Sequence, residues 1–137
     1  YRTAWRQRQF CLVPVERFFE PCWETGKAVP WSIHRQDGEP FTVAAIWDRW
    51  TERATGEIVV SFSMLTINAD GHPIMGRFHR PGDERRSLVV VPPSRWTDWL
   101  SATPDTVRAM LAEMPVAEFT SESVMGLSST PAQASFL

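Results

Sequence analysis

Glu20 comes directly after two aromatic residues, in Phe18-Phe19-Glu20-Pro21-Cys22-Trp23-Glu24. A carboxyl shielded by aromatics keeps its proton to higher pH, which suits a proton donor or acceptor near neutrality. The plain alternative is a solvated loop carboxylate. A second stretch, Leu65-Thr66-Ile67-Asn68-Ala69, closes a strand-like run with Thr and Asn. Both side chains bond ligands, and Asn also marks an ordinary exit into a turn. The third stretch, His72 to Arg86, holds His72 and His79 with Arg77, Arg80, Arg85 and Arg86. Imidazole moves protons near pH 7, and guanidinium grips phosphate through two parallel hydrogen bonds. Binding groups of this kind collect on loops held by a rigid sheet. Against this stands a solvated charged loop in which Arg85 or Arg86 pairs with Asp83 or Glu84.

The elements that must hold these groups are mostly strands. Phe10–Val13 is a short apolar strand stopped by Pro14. From Ala28 to Arg35 the chain alternates, with Val29, Trp31 and Ile33 on one face, which predicts a half-buried strand. Pro30 lacks a backbone donor and predicts an edge or a bulge there. Asp37-Gly38-Glu39-Pro40 predicts a turn, and Thr42–Trp47 the returning strand of a hairpin. Thr55-Gly56 is another turn, and Glu57–Ile67 a long strand with Ile58, Val60, Phe62 and Met64 on one face. Asn68–Pro81 reads as loop, and Ser87–Val91 as a buried strand.

Helix signals are few. Residues Thr3–Gln9 read as a helix end, and Ser94 as the cap of a short helix carrying Trp96, Trp99 and Leu100. The clearest helix starts at the N-cap Thr103, with Pro104 at its first position. Its apolar stripe is Val107, Met110, Leu111 and Met114. Ser128–Ser135 predicts a loosely ordered tail. The fold class is α+β: a mostly antiparallel, barrel-like β-sheet core with a few short flanking helices, in one domain over residues 1–137.

Composition narrows the partners. The 137 residues carry 14 basic and 16 acidic side chains, a net charge of −2, which excludes a polycation that coats nucleic acid but leaves room for a local basic site. No apolar run reaches the roughly 20 residues that span a bilayer, so no membrane partner is expected. Cys11 and Cys22 make no zinc signature, and neither a metal nor a cofactor is implied. Two reduced thiols suit a cytoplasmic protein. Cys11 reads as a small core residue and Cys22 as a loop thiol. Seven Trp, eight Phe and eleven Pro indicate an aromatic, loop-rich core.

Taken in order, these stretches resemble the SOS-response-associated peptidase (SRAP) family. Arg8-Gln9-Phe10-Cys11-Leu12-Val13-Pro14 followed by Phe18-Phe19-Glu20 is similar to the family's "RRCL-P…GFYEW". Phe41–Trp47 is similar to "…AGLW", and Phe62–Ala69 to "F…TT-AN". His79, a short insertion and Arg86 are similar to "HDRMPVIL", and Trp96–Leu100 to "W-WL". The likeness runs from about residue 5 to about residue 120.

The resemblance implies a DNA-damage protein of the bacterial cytoplasm, associated with the nucleoid when on DNA. Its partner would be single-stranded DNA carrying abasic sites, which such proteins capture covalently. The nucleophile is an amino-terminal Cys exposed by removal of Met. Its amine forms a Schiff base with the ring-opened sugar, and its thiol closes a thiazolidine. An α-amino group titrates near 7.7–8.0, so a useful fraction is neutral at pH 7. By motif position, Glu20 and His79 match the catalytic Glu and His. Arg86 matches the Arg after that His, and Arg77 is a further DNA-phosphate candidate. Self-processing peptidase activity is also implied.

The family's Met-Cys-Gly-Arg start and its "N-A-R-x-E" motif have no counterpart here, and Tyr1–Arg6 looks like the segment just after that motif. The expectation is therefore the carboxy-terminal portion of an amino-terminally truncated SRAP-like domain, inactive on its own, with sheet edges and apolar surface left open. One alternative is a non-catalytic single-stranded-DNA-binding module using Trp23, Trp31, Trp47 and Trp50 for stacking. Another is a thiol hydrolase pairing Cys22 with His79, although Glu20 and Glu24 flank Cys22 with the wrong charge for a nucleophilic thiolate.

Overall fold

From Phe41 to Ile46 every residue but Thr42 is apolar, so a strand formed here must be covered on both faces. In the computed structural model, which describes residues 1–124, this segment opens β4 (Phe41–Thr51). Phe41 and Val43 enter one core with Cys22, Ile33, Met75, Phe78, Met114 and Phe119. Ala44 and Ile46 enter a second core with Phe10, Val89, Val91, Trp99 and Val107. The period-two alternation of a strand thus makes β4 a wall between two cores.

Three antiparallel ladders surround it. β1 (Phe10–Val15), β4 and β5 (Ile58–Met64) form one sheet in that order. β2 (Phe18–Cys22), β3 (Val29–Arg35) and β8 (Phe119–Ser123) form the second, with β3 central. β6 (Thr66–Asn68) pairs with β7 (Arg86–Leu88). Helices α1 (Arg2–Arg6), α2 (Trp96–Leu100) and α3 (Pro104–Arg108) are one turn or little more. The class is α+β with antiparallel sheets and few short helices. The ladders do not join into a closed barrel. Among the described residues, no helix is long and apolar enough to cross a membrane.

Several local expectations are corrected. β3 and β4 do not form a hairpin: β3 pairs with β2 and β8, β4 with β1 and β5. The turn between them redirects the chain from one sheet to the other. Gln36 donates to Glu118 O through its backbone N–H and to Phe119 O through its side chain, which ties the corner to the β8 side. Arg35 grips Asp37 in the same corner and, chiefly through those hydrogen bonds, holds its carboxyl down at about 2. Pro30 lies in a central strand after all, opposite Pro21 of β2, while β8 pairing starts only at Trp31. The long strand expected over 57–67 divides at Leu65. There Leu65 N–H donates to Ala44 O, while Ala44 N–H donates to Val89 O, so Val89 replaces β5 as the neighbour of β4.

Ile58, Val60, Phe62 and Met64 do share a face, yet they are 41–66% exposed. β5 is an edge strand, and this row lies largely open to solvent. The aromatic content is better used elsewhere. Trp99 is fully buried, donates its Nε1–H to Cys11 O at 2.8 Å, and meets Phe10 at 5.4 Å between ring centroids.

The carboxy-terminal helix is shorter than its stripe predicts. α3 ends at Arg108, and Met114 turns into the other core instead. Ser94 makes no cap; Arg95 holds that position before α2. Thr103 does cap α3, in a reciprocal capping box with Thr106. The tail expected at 128–137 lies outside the described residues. Thr103→Ala should lower stability by about 1 kcal/mol, read as the urea midpoint, whereas Thr103→Ser should retain most of it. An unchanged midpoint in the alanine variant would contradict the capping assignment.

Candidate active site

Strand alternation sends Phe18, Glu20 and Cys22 to the inner face of β2 and leaves Phe19 outside, more than half exposed. Phe18 packs against the first core and Cys22 belongs to it, so Glu20 is held between two apolar anchors. Burial pushes its carboxyl above the ordinary range, and nearby His79 partly opposes this. Glu20 also lines a shallow depression of about 260 Å³ with Phe19, Pro21, Ala28 and Pro30, open to solvent.

His79 reaches the same place from a loop. Its neighbour Phe78 is fully buried and bridges Cys22 of β2. The His79 N–H then donates to Pro21 O at 3.2 Å. His79 has φ of +77°, a left-handed conformation that a non-glycine residue adopts only when its surroundings impose it. The result places Nε2 at 3.9 Å from Glu20 Oε2, with both side chains largely shielded. His79 Nδ1 is buried and has no hydrogen-bond partner. The gap exceeds a direct hydrogen bond, and such gaps in a free site close around a substrate group.

The loop that carries His79 is braced by His72. Its Nδ1 accepts from the backbone N–H groups of Ile74 and Met75, so the ring proton sits on Nε2 and donates to Met114 O at 2.7 Å. His72 is buried and is a structural residue. Gly76 belongs to the same turn; a Cβ there would stand 3.3 Å from Asp70 O, closer than most real contacts.

The two predicted phosphate contacts have protein partners. Arg77 grips Glu24 with Nε at 2.9 Å and Nη2 at 3.2 Å, and lies 4.5 Å over the Trp31 ring. The hydrogen bond from Arg77 holds the Glu24 carboxyl below its usual range. Arg86 donates to Thr66 Oγ1 and Thr66 O, tying β7 to β6, and to Glu84 Oε1. Asn68 donates to the same Glu84 oxygen and to Asp70. The second and third sequence stretches therefore meet in a Thr66–Asn68–Glu84–Arg86 network. Among the described residues, no hydrogen bond or ion pair joins that network to Glu20 or His79.

Glu24 was missed by the sequence reading, although an acid beside an aromatic and within a basic site could have signalled a partner for arginine. Of the proposed stacking residues, Trp31 is at the site, and Trp47 and Trp50 belong to β4 in the other sheet. Cys22 is buried in the core, not in an open loop. Among the described residues, no three His, Cys, Asp or Glu side chains converge in a way that could hold a metal. A larger, mostly apolar cavity of about 340 Å³, near Phe41, Trp96 and Pro115, contains neither Glu20 nor His79. What Glu20 and His79 offer together is general acid–base chemistry on a group placed between them.

Comparisons with known proteins bear on the family and the fold. The family model described as SOS response associated peptidase (SRAP) matches residues 1–127. No curated protein matches the chain. A crystal structure of a protein from Bordetella bronchiseptica is similar with a TM-score of 0.86 and 39% identity, over 90% of this chain and 58% of that one. One from Bacteroides thetaiotaomicron has a TM-score of 0.75 at 22% identity, over 90% of this chain and 52% of that one, and shares the fold. The chain thus spans a little over half the length of these solved structures.

The raised Glu20 carboxyl has a stability consequence with a definite sign. The folded state binds its proton more tightly than the unfolded state, so the ionised form is the costly one. The contribution of Glu20 to stability is fullest below the unfolded carboxyl range and is lost as pH rises through the folded value. Glu20→Gln removes that cost, so it should melt above the parent at pH 7 and level with it at pH 3. Thermal unfolding at the two pH values checks this, and a variant that melts lower at pH 7 would contradict the burial argument.

Proposed function

The chain belongs to the SOS response associated peptidase family, and on that premise we propose that it is part of a DNA-damage response protein. The proposed protein binds single-stranded DNA and captures abasic sites covalently, with self-processing peptidase activity. The observation that supports this best is the Glu20–His79 pair: a carboxyl raised by burial faces an imidazole held in a forced backbone conformation.

The chemistry asks for two proton movements. An amino-terminal amine adds to the sugar aldehyde, and the carbinolamine must lose its hydroxyl as water to give the imine. Glu20, protonated to higher pH than a free carboxyl, donates that proton. His79 accepts the proton shed by the attacking nitrogen. The thiol of the same amino-terminal Cys then adds to the imine carbon, its proton passing to the imine nitrogen as the C=N bond becomes single, and the ring closes. That Cys is not among the residues of this chain. Arg77 and Arg86 would contact flanking phosphates, which requires phosphate to compete with Glu24 and Glu84.

A second reading is a non-catalytic single-stranded-DNA-binding module. It is favoured by the stacking of Arg77 on Trp31, since arginine–aromatic platforms bind single strands without chemistry. The discriminating experiment incubates the full-length protein, with its encoded amino terminus, with single-stranded DNA bearing one abasic site. The first reading expects an adduct that survives denaturing electrophoresis and disappears when the amino-terminal Cys is replaced. It also expects Glu20→Gln or His79→Ala to slow adduct formation by about 10²–10⁴-fold. Binding without any adduct would favour the second reading. An adduct that persists without the Cys would overturn the first.

A further inference from the structure

The cations singled out from sequence are already neutralised within the protein: Arg77 by Glu24 and Arg86 by Glu84. Arg80 is not. It is exposed, follows His79 directly, and has no carboxylate within ion-pair distance among the described residues. Its guanidinium instead stands over the Trp23 ring, 5.8 Å from the centroid. Trp23 follows Cys22, the residue that bridges Phe78, so the contact that brings His79 to Glu20 also brings Arg80 to Trp23. The Trp23 indole Nε1 is buried and has no hydrogen-bond partner.

We infer that Arg80 and Trp23 form a nucleotide subsite beside Glu20 and His79, in which Arg80 binds a backbone phosphate of single-stranded DNA and Trp23 supports its guanidinium. This rests on the DNA-binding reading given above and deepens it. A guanidinium held on an aromatic face keeps its edge donors free for two oxygens of a phosphate, and it loses less side-chain freedom on binding than an unsupported one. An uncommitted cation also has no internal carboxylate to displace. Arg77 does, since Glu24 already takes hydrogen bonds from its Nε and Nη2. The first phosphate contact next to the reacting nucleotide therefore falls to Arg80, a residue inside the insertion that separates His79 from Arg86.

The test measures binding of the protein to an unmodified oligothymidine strand over a range of salt, for the parent, Arg80→Ala, Arg80→Lys and Trp23→Leu. Each phosphate contact on a single strand contributes about 0.7 to the slope of log K against log salt. Arg80→Ala should weaken binding at low salt and reduce the slope by about 0.7. Arg80→Lys should keep the slope, because the charge remains. Trp23→Leu should weaken binding with little change in slope. Circular dichroism melting of each variant separates lost contacts from lost folding. Parent binding with Arg80→Ala unchanged in affinity and slope would overturn the subsite and leave the DNA reading standing. No binding by the parent would overturn both.

Discussion

One local tie sets where Glu20 and His79 meet: the bridge between Cys22 at the end of β2 and Phe78 in the long loop, continued by the His79 N–H donating to Pro21 O. Phe78 is fully buried, so the tie is anchored by an aromatic ring in the core and does not depend on one exposed hydrogen bond. From that anchor the backbone must turn sharply, and His79 accepts a positive φ to do so. A glycine would adopt this conformation at less cost, but it could not supply an imidazole. Backbone strain thus places the imidazole, and the surrounding packing holds it there.

The rest of the molecule serves that tie. β4 separates two cores, and the first of them holds Cys22, Phe78 and Met75 in one cluster. Met75 and Ile74 donate to His72, whose Nε2–H reaches Met114 O beyond the short helix α3. The early end of α3 now has a reason. A helix continued through Met114 would commit that carbonyl and side chain to the wrong core, and Met114 serves the loop brace instead. The charges around the site show the same economy, with Arg77 and Arg86 each held by an internal carboxylate and Arg80 left free.

Much of this was legible in the sequence, for physical reasons. Turns at Gly38 and Gly56 need positive φ, and glycine supplies it. Thr103 and Pro104 announced a helix start because cap chemistry is local. Glu20 and His79 stood out through residue type and motif order, and the fold brings them within 4 Å of each other. What the sequence hid was long-range. The β3–β4 turn looks like a hairpin until Gln36 is seen bonding to the β8 side. Glu57–Ile67 looks like one strand until Val89 takes over pairing with Ala44. Glu24 reads only as a charge beside Cys22 until Arg77, far along the chain, reaches it. Alternation along β5 gave the correct face but not its exposure, because exposure depends on which other elements cover it.

The central claim is that Glu20 and His79 work as one unit. A double-mutant cycle on the rate of abasic-site adduct formation by the full-length protein tests it most directly. If they act together, the double variant Glu20→Gln, His79→Ala should be no slower than the slower single variant, because the first loss already disables the pair. Losses that multiply, each substitution slowing the reaction by the same factor with or without the other, would show two independent groups and contradict the account.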